Sequence, residues 1–164
     1  IFIEPIALYN QKDLYEKKDS LWTKSYPKIN ENIIVGEFGL FGSGNELTII
    51  SYGNGFYLSM KAKRKIEEKI NKKIKIIDLR WLTDINYSRL IKEIEQSKKI
   101  LIVDECRKSG CFGESIFNNI SSSINGIIKL HSAEDCFITI GESSTYTLPS
   151  VKSIAKEALD LINA

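Results

Sequence analysis

"KIIDLRWLTDINYSRLIKEI", residues 75 to 94, begins as a continuous apolar run, breaks at Asp78-Leu79-Arg80, and resumes with Tyr87, Leu90, Ile91 and Ile94 at i, i+3, i+4 and i+7. The first part has the character of a strand covered on both faces, and the second is an amphipathic helix that needs a face to pack on. Asn86 stands where its side chain can cap that helix by accepting from the first free amides. The pattern recurs along the chain. "LTIISYG" (47 to 53) is a buried strand followed by a basic helix, and "ILIVDE" (100 to 105) is another, followed by a helix marked by Ile116, Phe117, Ile120 and Ile124. "IIVGEF" (33 to 38) and "CFITIG" (136 to 141) are the remaining strand candidates, and Val151, Ile154, Ala155, Ala158 and Ile162 behind Pro149 mark a closing helix. Apolar strands alternating with amphipathic helices predict a three-layer α/β/α domain on a mostly parallel sheet, with right-handed crossovers.

Length and composition bound the alternatives. With 164 residues, 43% of them hydrophobic, the chain is long enough for one core and short for two. No apolar run approaches the length of a membrane span. The first residue is Ile, and "IFIEPIALY" has the pattern of a strand already under way, so a piece of a longer polypeptide is expected. Residues 1 to 30 carry Pro5, Pro27, scattered aromatics and no sustained period, which predicts a strand end followed by a linker.

The net charge is +2, but "KAKRKIEEKINKKIK" (61 to 75) holds eight of the 23 basic residues. A nucleic-acid or membrane-surface role is one reading of such a run. Phe56, Met60, Ile66 and Ile70, with Ser59 and Ala62 between them, fall on one helical face, so the lysines are read as its solvated side, and neither nucleic acid nor membrane is expected as a partner. Cys106, Cys111 and Cys136 form no C-x-x-C pair and are odd in number, which fits a reducing, cytoplasmic setting. His131 is the single histidine. Neither a metal site nor a His-based triad is expected from this material.

In a sheet of this type, ligands bind beyond the carboxyl ends of the strands. Those ends carry Gly53, then Asp78 and Arg80, then Glu105 and Arg107, with Gly113 and Glu114 opening the next helix. These seven are the candidate residues of a strand-end crevice or an interface. Neither "GSGNE" (42 to 46) nor "GNG" (53 to 55) is a dinucleotide or phosphate-loop motif, and "GSGNE" is read as a turn. Asp104 and Glu105 are neighbours on a strand, which sends them to opposite faces and argues against an acid/base dyad. Cys111 at a helix start is a place for a lowered thiol pKa, although no histidine is near to act as its base. No residue is assigned a catalytic, cofactor-binding or metal-binding role.

Taken in order, "EPIALY" (4 to 9), "ELTIISYG" (46 to 53), "IKIIDLRWL" (74 to 82), "ILIVDE" and "SGCFGE" (109 to 114) resemble the C-terminal transketolase-type domain of the thiamine-dependent 2-oxoacid dehydrogenases, in the beta subunit or a fused alpha-beta chain. The chain departs from that pattern at Asp84-Ile85-Asn86, at Cys111 and in a shortened tail. The resemblance implies five strands, one edge strand antiparallel, with residues 1 to 30 ending the preceding pyrimidine-binding domain and residues 31 to 164 forming the transketolase C-terminal-like domain. It implies an oxidoreductase parent holding thiamine diphosphate and Mg2+ in other domains, and none in this chain. Its implied partners are the rest of the parent chain or an alpha subunit, a second copy in a homodimer, and a lipoyl acyltransferase. The competing readings are the same domain of transketolase or deoxyxylulose-phosphate synthase, and a stand-alone regulatory ligand-binding domain. The resemblance also implies that the strands ending at Asp78 and Asp104 flank the one ending at Tyr52, so that Arg80 and Glu105 border one crevice.

Overall fold

The computed structural model describes all 164 residues. Five strands form one sheet: β1 (Phe38–Gly42), β2 (Thr48–Ser51), β3 (Lys75–Leu79), β4 (Lys99–Arg107) and β5 (Ile127–Ala133), in the order β1-β3-β2-β4-β5. β1 is antiparallel to β3, and every other pairing is parallel. The strand ending at Ser51 therefore lies between those that carry Asp78 and Asp104, as expected.

Four helices cover the sheet: α1 (Gly53–Ile70), α2 (Tyr87–Ile94), α3 (Phe112–Ser121) and α4 (Val151–Asn163). Side chains alternate across each strand, so Ile49, Ile76, Leu101 and Val103 meet Phe56, Ala62 and Ile66 of α1 and Ile154, Ala158 and Leu161 of α4. Their neighbours Ile50, Ile77, Ile100 and Ile102 meet Leu90 and Ile94 of α2 and Ile116 and Ile120 of α3. Both faces are buried, which is why these strands are apolar without alternation. Asn86 caps α2 by accepting from the Arg89 amide at 3.0 Å, and Ser150 and Ser153 form a reciprocal capping box at α4.

Three local expectations are corrected. β1 is "FGLFG" rather than residues 33 to 38, because Ile33, Ile34 and Val35 have no neighbouring strand and stay exposed. β5 is "IIKLHSA" rather than residues 136 to 141. As an edge strand it tolerates Lys129 and His131 among its apolar residues, whereas Phe137 and Ile140 are 89% and 95% exposed. Residues 1 to 9 contain no strand: Pro5 leads into a single 3-10 turn at Ile6–Leu8.

Residues 11 to 22, expected as part of a linker, fold onto α1. Leu14 is buried, and Trp22 packs against Phe56 and Tyr57. The Tyr57 hydroxyl donates to the Asp13 carbonyl at 2.9 Å, and Arg64 stacks on Tyr15. The Asp19 carboxyl accepts from the amides of Leu14, Tyr15, Glu16 and Leu21, which hold it far below the usual carboxylate range. Asp19→Ala should loosen this loop without unfolding the sheet. Limited trypsin digestion checks it: cleavage after Lys17 or Lys18 is expected to be at least tenfold faster in the variant, since local opening governs such cuts.

Candidate functional site

β4 runs past its neighbours and delivers Asp104 and Glu105 to opposite faces. Asp104, 1% exposed, points towards α3 and accepts three hydrogen bonds: from the Tyr52 hydroxyl at 2.8 Å, the Gly113 amide at 2.8 Å and the Cys106 amide at 2.9 Å. Gly113 has no room for a side chain, because a Cβ there would lie 2.5 Å from Leu130 Cδ1 and 3.3 Å from Ile102 Cγ2. The Tyr52 ring meets Phe112 edge-on at 5.9 Å. Burial, followed by the nearby Asp104 charge, pushes the Tyr52 phenol far above its ordinary value, so it stays a donor at any physiological pH. At the carboxyl ends of β2 and β4 the polar groups are thus satisfied by one another within the chain.

On the α1 face, Glu105 accepts from the Asn54 side chain at 2.6 Å. Burial raises the Glu105 pKa, the Asn54 bond opposes the rise, and Asp104 adds to it. Gly53 opens α1 with φ +54, and Pro5 approaches to 3.5 Å of the position its Cβ would take. The segment at the start of the chain thus reaches the strand ends. One β-strand away, Arg80 Nε faces Asp78 Oδ2 at 3.7 Å. Burial raises the Asp78 pKa, with Arg80 and Lys24 pulling it back.

The seven candidates therefore fall into separate groups. Gly53, Glu105 and Gly113 surround the junction of β2 and β4, while Asp78 and Arg80 belong to the edge formed by β1 and β3. Arg80 and Glu105 do not pair, because Glu105 is engaged by Asn54 and Arg80 lies towards β1. Arg107 ends β4 exposed opposite Ala133, and Glu114 reaches back to accept from the Gly110 amide at 2.8 Å, closing the turn into α3. The expectation for Cys111 is reversed: burial pushes its thiol up rather than down.

Tyr52, Asn54, Phe112 and Asp104 complete the site but were not among the candidates. The signal for Asp104 was a carboxyl at the end of an otherwise wholly apolar strand, which calls for buried donors.

These residues do not suit a diphosphate–metal group. No three His, Cys, Asp or Glu side chains come together, and the two acids at the end of β4 are already hydrogen-bonded within the fold. An open cavity of about 400 Å3 lies elsewhere, beyond the end of α1, lined by Arg64, Glu67, Glu68, Asn71, Lys72 and Lys73. The basic run there is tied to carboxylates: Lys63 and Lys73 pair with Glu67, and Lys72 with Glu46. No helix is long and apolar enough to cross a membrane.

The family model described as "Transketolase, C-terminal domain" matches residues 39 to 154. The chain belongs to that family. This transketolase C-terminal domain is 23% identical over 159 residues to the pyruvate dehydrogenase E1 component subunit beta of Staphylococcus epidermidis, covering 94% of the chain and 47% of the relative. It is 22% identical over 163 residues to the same subunit of Staphylococcus aureus, covering 97% and 49%. The chain thus spans about half the length of the curated relatives it matches. Among solved structures, it superposes on a split-gene transketolase, described as an inactive beta4 tetramer, with a TM-score of 0.71 and 14% identity over 85% of this chain and 46% of that one. It superposes on 2-oxoglutarate:ferredoxin oxidoreductase from Magnetococcus marinus with a TM-score of 0.55 and 13% identity, over 77% and 20%. The resemblance drawn from the five sequence segments and the mixed five-stranded sheet agree with these relatives.

On the far edge, His131 Nε2 lies 2.9 Å from Ser153 Oγ and so joins β5 to the cap of α4. Burial lowers its pKa from the ordinary 6.5, with Lys129 acting in the same direction and Glu157 and Glu134 opposing. A histidine whose folded pKa lies below its unfolded one stabilises the fold above the unfolded value, and that stability is lost as pH falls through the folded value. Between about pH 7 and 5, the wild type is expected to lose stability more steeply than His131→Gln in urea unfolding. Parallel slopes for the two would remove His131 from the account.

Proposed function

We propose that this chain is the C-terminal, non-catalytic assembly domain of the decarboxylating component of a thiamine diphosphate-dependent 2-oxoacid dehydrogenase. The observation that carries this reading is the mutual satisfaction of the polar groups at the strand ends. Where an α/β sheet ordinarily receives a ligand, Tyr52, Asp104, Phe112 and Gly113 satisfy one another. Around the same end, apolar side chains face outward, among them Phe2, Ile6, Phe137 and Ile140 at 80% exposure or more. Polar closure inside and an apolar rim outside suit a surface meant to be covered by protein.

On this reading, residues 1 to 30 end the preceding pyrimidine-binding domain and link it to this one, and Gly53 and Glu105 stand where the two domains meet. Thiamine diphosphate and Mg2+ are held by other domains, and the partners are the remainder of the parent protein, a second copy related by two-fold symmetry, and a lipoyl acyltransferase. Its relatives in the beta subunits of pyruvate dehydrogenase favour this branch over transketolase.

Titration calorimetry tests the reading. This chain is expected to show no saturable binding of thiamine diphosphate with Mg2+ at millimolar concentration, while the complete protein with its partner subunit binds both. Micromolar binding by this chain alone would overturn the non-catalytic assignment.

A further inference from the structure

Two Asn-Gly pairs occur in the chain, Asn54-Gly55 and Asn125-Gly126, and the fold treats them in opposite ways. Asparagine before glycine is open to ring closure, because no side chain on the second residue hinders approach of its amide nitrogen to the asparagine Cγ. Asn54 is held against this. It lies in the first turn of α1, where helical angles turn the next amide away from the side chain, and it donates to Glu105 Oε1 at 2.6 Å.

Asn125 has neither restraint. It stands exposed between α3, which ends at Ser121, and β5, which begins at Ile127. Its carboxamide makes no hydrogen bond within the chain, and neither Asn125 nor Gly126 donates its backbone amide to a carbonyl. Glycine at 126 is fixed by packing. A Cβ there would lie 2.5 Å from the Ser97 carbonyl oxygen and 2.9 Å from that of Lys98, so the fold requires the residue that makes its neighbour labile.

We propose that Asn125 is a site of spontaneous deamidation, and that its isoaspartyl product loosens the start of β5. The Gly126 amide nitrogen gives its proton to water or hydroxide and adds to Asn125 Cγ. The bond from Cγ to the carboxamide nitrogen breaks, ammonia leaves, and a five-membered succinimide remains. Water then opens the ring at either carbonyl, to an aspartyl or an isoaspartyl residue. The second carries the main chain through Cγ and is one methylene longer. Directly after it, Gly126 lies against the backbone of Ser97 and Lys98, and the Ile127 amide donates to the Lys98 carbonyl at 3.1 Å. An added main-chain atom there displaces the first rung between β4 and β5. As an edge strand, β5 has no second neighbour to hold it.

The test ages the complete protein in mildly alkaline buffer, folded and in concentrated urea, and follows both pairs by mass spectrometry with fragment ions that separate aspartyl from isoaspartyl. In the folded protein Asn125 is expected to react at least tenfold faster than Asn54, with the gap closing in urea, since only the fold distinguishes the two. Equal rates in the folded protein, or an Asn125 that stays intact there while it reacts in urea, would overturn the site. Hydrogen exchange reads the effect on β5. The amides of Ile127 to Lys129 should exchange faster in the aged protein than in Asn125→Asp, which adds the same charge without lengthening the chain. No difference between them refutes the loosening of β5. Asn125→Ser should keep its protection on ageing, and a loss there would assign the fraying to damage elsewhere.

Discussion

Asp104→Ala is expected to destabilise the domain by about 3–5 kcal/mol, more than any other single change at the strand ends. The substitution leaves the Tyr52 hydroxyl and the Gly113 and Cys106 amides without their shared acceptor, and a buried donor without a partner costs ~1–3 kcal/mol. Some of the loss is recovered if water enters, because the vacated volume is polar. For a chain of this length, the melting temperature should fall by roughly 10 °C or more. Tyr52→Phe removes one donor and keeps the ring on Phe112, so its cost should stay near ~1 kcal/mol. The double variant should be less damaging than the sum, since both changes act on one network. Urea unfolding of the three variants decides the matter, and a loss below about 1 kcal/mol for Asp104→Ala would mean that the network does not hold the strand ends together.

Gly44→Ala is the second large effect, expected at about 2–4 kcal/mol from strain and collision together. Gly44 has φ +104, a region that side-chain-bearing residues rarely occupy, and a Cβ there would lie 2.3 Å from the Lys73 carbonyl oxygen. That oxygen belongs to the backbone leading into β3 and cannot rotate away. The turn between β1 and β2 must therefore open, and the pairing of Gly42 with Lys75 beside it should fray. Gly110→Ala is the control. It shares a positive φ, +76, but has nothing within 4 Å, so only the conformational strain of ~1 kcal/mol remains. Equal losses for the two would show that strain alone accounts for Gly44. "GSGNE" is then a turn whose glycine is needed for backbone contact, as its composition suggested.

The buried strands were legible because burial on both faces leaves only one kind of residue, and "LTIISYG", "KIIDL" and "ILIVDE" fall where β2, β3 and β4 are observed. The two edge strands were misplaced. Half of each edge strand faces solvent or loops, so β5 contains Lys129 and His131, while "CFITIG", although more apolar, pairs with nothing. Hydrophobicity marks what is to be covered; it does not distinguish cover by a sheet from cover by another chain. The same ambiguity applies to "IIVGEF", whose three aliphatic residues remain exposed ahead of β1.

At the candidate site, the sequence located the strand ends but not their partners. Glycine at 113 suggested a turn into a helix. Its requirement for space beside Leu130 and its amide bond to Asp104 arise only when α3 is laid on β4. Arg80 and Glu105 were placed at one crevice by strand order alone, and the order was right. Which side of the sheet each side chain takes, and what already occupies the space between, depends on the tilt and packing of neighbouring helices.

By itself, then, the amino-acid sequence determined the class of fold, the central strands, the helical faces and the family, because the 2-residue and 3.6-residue periods and the five segments are local properties of the chain. Tertiary structure alone decided that Asp104 is shared by Tyr52 and Gly113, that Arg80 lies over Gly39, and that residues 11 to 22 close on α1. Each of these joins residues distant in the chain or separated by a turn, and a hydrogen bond or a collision depends on tenths of an ångström that no periodicity records.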